Sequence, residues 1–182
     1  MPKRQVFYSF HFDKDAWRAG QVRNIGVLEG NTPVSSNEWE EVKRKGDTAI
    51  QNWIDRVMNY RSCVIVLIGE DTANRRWCLY EIERAWKKGK GIVGIYIHGL
   101  KDIFGQTCKM GNNPFDKFYI DTTFNYIAQR SSQLDSNEIR LSNVCHAHYP
   151  LGKDSKDIYS YISSNIESWV DEAIIIRNKY PK

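Results

Sequence analysis

A parallel α/β sheet with helices on both faces is what this sequence predicts, and three observations carry the prediction. Residues 62–69 (SCVIVLIG) and 91–98 (GIVGIYIH) are almost wholly apolar, the mark of strands covered on both faces. Around them, apolar residues recur at helical spacing. Strands that alternate with helices in this way build a parallel sheet.

The elements follow in order. Residues 5–12 (QVFYSFHF) are rich in aromatic and β-branched types and run into the polar Asp13-Lys14-Asp15, so they read as the first strand. Residues 16–28 follow as a short helix. Residues 29–46 carry Gly, Pro and Ser before a charged stretch, which predicts a long loop with one helical turn. From Asp47 onward, Ala49, Ile50, Trp53, Ile54, Val57 and Met58 fall on one helical face. A helix over 76–88 then joins the two apolar strands. Residues 99–118 are a Gly- and Asn-rich loop, and 119–150 leave room for one or two short edge strands. A loop-rich insertion of this length (99–150) is usually functional or mobile. A closing helix over 155–178 aligns Ile158, Tyr161, Ile162, Ile166, Trp169, Val170 and Ala173, with Asp154 or Ser155 as its cap.

Composition excludes several classes. At 182 residues the chain is long enough for one domain and too short for two comfortable ones. The net charge of +4 is small and spread along the sequence, which argues against nucleic acid as a partner. No apolar run is long enough for a bilayer, so no membrane partner is expected either. Cys63, Cys78, Cys108 and Cys145 show no paired spacing and no secretory leader precedes the first strand, so a cytoplasmic location with free thiols is expected. An aromatic share of 13% points to rings in the core and in a cleft.

In an open parallel sheet, ligands bind beyond the carboxyl ends of the strands. Segments 9–13 (SFHFD), 69–77 (GEDTANRRW) and 98–102 (HGLKD) converge there. In the helix over 76–88, Cys78, Ile82 and Ala85 form the buried stripe, and Glu81 falls on its edge beside Trp77. Glu83 and Lys87 point away. A glutamate in the first turns of a helix is also favoured by the helix dipole alone, so spacing leaves both readings of Glu81 open.

Other motifs say less. Cys145-His-Ala-His148 holds zinc-ligand types, yet no second pair stands at a workable spacing, so no metal is expected. Asp13, Asp15 and Asp71 resemble a receiver's acidic cluster, but Asp71 lies two residues beyond its strand and the supporting Lys and Thr strands are missing. Residues 86–91 (WKKGKG) read as a solvated helix end, and no Gly-rich phosphate loop precedes a helix.

Taken together, VFYSFHF (6–12) and NRRWCLYEIERAWKKGKGIVGIYI (74–97) resemble the TIR domain, with its strand ending in Ser-aromatic and its Trp-Cys-x-x-Glu helix. With NNPFD (112–116) in the same order, the chain is more closely similar to the TIR-like proteins of the bacterial Thoeris antiphage system, the ThsB family. The resemblance covers roughly residues 3–118 and is weaker over 119–182. It implies a single TIR-like domain with a flavodoxin-like sheet, cleaving NAD at its nicotinamide–ribose bond. The resulting ADP-ribose product, in cyclic form, would signal to an effector protein. NAD is then substrate, and no cofactor is implied. Glu81 takes the catalytic role, while Phe10, His11 and Trp77 take the nicotinamide end with Ser9 as support. For His11, a strand-end histidine satisfied by backbone is the alternative. A phage protein is the candidate trigger and a homo-oligomer the candidate assembly. The loop at 29–46 lacks the Arg-Asp-x-x-Pro-Gly pattern of animal and plant TIR domains.

The chemistry suits one carboxylate. Nicotinamide in NAD is already a cationic leaving group, so no general acid is needed. An oxocarbenium-like ribose is what needs stabilising. Two rivals remain open to the sequence: a non-catalytic TIR-like module that senses a phage protein or assembles, and a different N-glycosidic enzyme that ignores NAD.

Overall fold

The two apolar runs fold into the middle of the sheet. In the computed structural model, which describes residues 2–31 and 36–182, they become β3 (Cys63–Ile68) and β4 (Gly91–Tyr96), and every residue of both is buried. The first strand, β1 (Gln5–Ser9), pairs with β3, and a short β2 (Glu29–Gly30) flanks it. With β8 (Ala147–His148) on the far side, the order among the described residues is β2-β1-β3-β4-β8, parallel throughout. The predicted parallel α/β sheet is thus present.

Side chains leave a strand to alternate faces, and the two cores follow that period. Phe7, Val64, Val66, Ile68 and Ile92 face one side, under α2 (Ser36–Arg44), α3 (Asp47–Met58) and α4 (Arg76–Lys87). Val6, Tyr8, Ile65, Leu67 and Ile95 face the other, under α1 (Phe12–Arg23) and α5 (Ser155–Arg177). Helices therefore cover both faces, as predicted. Where α5 crosses β4, a Cβ on Gly91 would lie 2.8 Å from the backbone nitrogen of Ile174. Glycine permits that approach.

Three stretches differ from the sequence reading. Helix α1 begins at Phe12, four residues before the predicted start, because Asp13 and Asp15 stand in its first turn, where carboxylates favour a helix N-terminus. Where one helical turn was expected, α2 runs nine residues. Its Trp39 buries itself against Phe12 and Trp53, both 6.2 Å away between ring centroids, which supplies the packing that a short, charged segment lacks on its own. Residues 32–35 of that predicted loop lie outside the described residues. Beyond β4, β5 (Phe118–Asp121), β6 (Ile127–Gln129) and β7 (Glu138–Arg140) form a separate antiparallel sheet in the order β6-β5-β7. It packs Phe118, Ile120 and Ile127 against the α3–α4 side. Helix α5 is capped by Asp154, whose carboxylate accepts from the Asp157 N–H at 2.9 Å.

Among the described residues no helix is long and apolar enough to cross a membrane.

Candidate active site

The connection out of β3 fixes where α4 starts. The Thr72 hydroxyl accepts from the Gly69 N–H at 2.8 Å and faces the Leu67 carbonyl at 3.3 Å. One 3₁₀ turn (Thr72–Asn74) then leads to Arg75, the residue before α4. Trp77 and Glu81 follow one turn apart. Glu81 belongs to the buried set with Cys78, Leu79, Ile82, Ala85 and Trp86, whereas Glu83 turns outward to an ion pair with Lys87.

Behind Glu81 lies the end of β1. The Ser9 hydroxyl, fully buried, donates to Glu81 Oε2. Glu81 itself is only 9% exposed. Burial pushes its carboxyl up to about 8, and the Ser9 bond opposes that rise. Burial foremost, and the neighbouring Glu81 next, keep the Cys78 thiol well above its ordinary range. The carboxyl is thus held by one hydroxyl in an apolar setting, with no cation contributing to its titration.

Glu81 opens into a cleft of about 470 Å³, walled by Phe10, Phe12, Trp39, Trp53 and Trp77. Phe10 and Phe12 stack with centroids 6.4 Å apart, Phe12 meets Trp39, and Trp39 meets Trp53 edge-on. Trp77 is steadied by the Arg76 guanidinium 4.7 Å from its ring and by Tyr80 at 5.8 Å. The lining also includes the polar Arg23, Asn24, Asn31 and Arg75. Asn31 accepts from the Tyr8 N–H at 2.9 Å, and Arg23 donates to the Asn31 carbonyl. An aromatic cavity with a few convergent polar groups and one perturbed carboxyl is the general form of a small-molecule site.

The structure brings Glu81, Trp77 and Phe10 into this cleft and puts Ser9 directly behind Glu81. His11 is not among the lining residues. It precedes α1, is 8% exposed, and its carbonyl accepts from the Asp15 N–H at 2.8 Å. Its Nδ1 is buried without a hydrogen-bond partner among the described residues, and burial, with Arg75 next, holds its pKa below the usual value. Sequence reasoning missed Phe12, Trp39, Trp53, Arg23, Asn31 and Arg75. Of these, Phe12 and Arg75 stood inside quoted motifs and Trp53 on the predicted helical face after Asp47, with nothing local to mark them for the site. The receiver-like acids are otherwise engaged: Asp15 with Arg18 at 3.1 Å, Asp13 with Arg75 at 3.3 Å, and Asp71 with Lys14.

A parallel sheet whose first strand and fourth helix join a serine to a buried glutamate in an aromatic cleft defines a TIR-like α/β protein. Residues 7–102 match the family model described as "Thoeris protein ThsB, TIR-like domain". The chain belongs to that family. It is also 39% identical over 118 residues to the "Putative cyclic ADP-D-ribose synthase ThsB1" of Bacillus cereus (strain MSX-D12). That match spans 62% of each chain, so it covers under two thirds of the relative's length.

Proposed function

We propose that this protein cleaves NAD between nicotinamide and ribose and closes the ADP-ribose unit into a cyclic signal for an effector protein in antiphage defence. The observation that carries the reading is Glu81: a buried carboxyl, hydrogen-bonded by Ser9, that lines an aromatic cleft. A purely structural helix has no need to hold an acid there, since burying a carboxyl without a cation partner costs stability. The relative's printed name, a cyclic ADP-D-ribose synthase, points the same way.

In this mechanism Phe10 and Trp77 sandwich the nicotinamide ring, with His11 supporting this end from behind through the start of α1. Arg23 and Arg75 offer positive charge to the pyrophosphate. The C1′–N bond breaks with its electron pair going to the ring nitrogen, so nicotinamide leaves neutral and the ribose becomes an oxocarbenium ion. The Glu81 carboxylate stabilises that cation. A nucleophilic group elsewhere on the same ADP-ribose then attacks C1′ and loses its proton to Glu81. Cyclisation differs from hydrolysis only in that water is kept out, a task suited to a cleft walled by Trp39 and Trp53.

NAD turnover with mass-spectrometric identification of products tests this, comparing wild type with Glu81→Gln, as pure protein and in lysate of phage-infected cells that would supply a trigger. Loss of about 10²-fold or more in kcat is expected for the variant, the scale for removing one preorganised electrostatic group. Equal turnover in both proteins removes Glu81 from the mechanism. No turnover even in infected lysate favours a non-catalytic module.

A further inference from the structure

On the sheet edge farthest from β2, three metal-ligating side chains meet. His148 ends the edge strand β8 and His146 immediately precedes it, two residues apart and so on one side of the extended chain. Glu172 reaches them from α5. One ligand atom from each lies within 4.8 Å of the other two, and His146 Nδ1 is 3.6 Å from Glu172 Oε1. Two ligand atoms on one tetrahedral zinc ion stand roughly 3.3 Å apart, given bonds of about 2.0–2.1 Å. The group therefore needs to contract by at most about 1.5 Å from its 4.8 Å spread, and His146 and Glu172 are each about half exposed.

The surroundings favour a built site. The backbone of β8 is pinned, with the Gly94 N–H donating to the His146 carbonyl at 2.8 Å and Ile95 in register with His148. The His148 ring lies flat on Trp169, centroids 4.3 Å apart and planes 8° from parallel. Trp169 stands one turn before Glu172, so one face of α5 both fixes the imidazole plane and supplies the third ligand. His148 Nε2 is buried without a hydrogen-bond partner among the described residues. Nothing in the described fold uses that nitrogen.

We propose that His146, His148 and Glu172 bind a divalent transition ion of the zinc class, which ties the two-residue strand β8 to α5. Two imidazoles and one carboxylate suit zinc and disfavour calcium and magnesium. With three protein ligands, a fourth position stays open to water. Cys145, the first residue of the Cys-His-Ala-His run, is 4% exposed and packs in the core, so the ligand that completes the set comes from 24 residues further on. None of these residues lines the Glu81 cleft, and the inference stands apart from the proposed NAD chemistry.

The test uses untagged protein and zinc itself. Calorimetry and thermal melts are run on wild type, His146→Ala and Glu172→Ala, both changes falling on half-exposed side chains that the fold tolerates. The expectation is one zinc per chain and a melting point raised by ~5 °C at a hundredfold excess over Kd. Each variant should bind at least about tenfold more weakly, and magnesium should do nothing. Cobalt substitution should give visible bands of a tetrahedral N/O site without thiolate charge transfer. Absence of zinc binding overturns the proposal. So does binding that both variants retain, or a thiolate spectrum, since the chain's cysteines would then hold the metal.

Discussion

On the proposed mechanism, Glu81 and Ser9 together set the pH dependence of turnover. In the free protein burial outweighs the one hydrogen bond from Ser9 and pushes the carboxyl up to about 8. A mechanism that needs the carboxylate then gives a kcat/KM rising about tenfold per pH unit below 8 and levelling above it. On the proposed mechanism bound NAD would bring a cationic ring beside Glu81, so the kcat profile should turn at lower pH. Ser9→Ala removes the bond that lowers the pKa. Its kcat/KM profile should shift to higher pH, which pH–rate curves for wild type and variant would show; an unmoved profile would mean Ser9 does not govern Glu81. Stability responds as well. The folded pKa lies above the ordinary value of 4.5, so the folded state holds its proton longer than the unfolded chain. That contribution is complete below about pH 4.5 and is lost as pH rises through 8. Glu81→Gln should therefore melt higher than wild type at pH 9 by several degrees, while the two differ little at pH 5.

At the scale of elements, propensity and packing divide the work. The strands β3 and β4 were legible because continuous apolar runs have few other homes. Helix α2 and the β5–β7 sheet were not. Strands of three or four residues are too short for alternation to show, and α2 depends on Trp39 finding Phe12 and Trp53, a tertiary event that no local pattern announces. Two substitutions probe element joints away from the cleft. Asp154→Ala removes the cap of α5 and should cost about 1 kcal/mol, read as a lower urea midpoint with unchanged turnover. Gly91→Val forces a side chain into the backbone of α5 and should cost about 1–3 kcal/mol, while a cost near zero would show that β4 and α5 part easily.

For the molecule as a whole, how much of the site the sequence disclosed depends on distance along the chain. Trp77 and Glu81 share a helix, so their facing was computable from periodicity. The α/β pattern put segment 9–13 at the carboxyl edge of the sheet, and the resemblance to the TIR domain selected Phe10 and Ser9 within it. Arg23, Asn31 and Trp39 came from elements whose mutual placement is decided only when the cores close on both faces of the sheet. The pairing of Ser9 with Glu81 spans 72 residues and exists only once β1 has entered register beside β3. During synthesis on the ribosome, a nascent chain that has delivered β1, α1 and α2 still lacks Glu81 and the strand β3 beside which β1 pairs. Closing a loop of this length costs chain entropy before its contacts reward it, so the Ser9–Glu81 pair depends on the sheet rather than on local structure. On the proposed mechanism, a chain that stops short of Glu81 cannot cleave NAD.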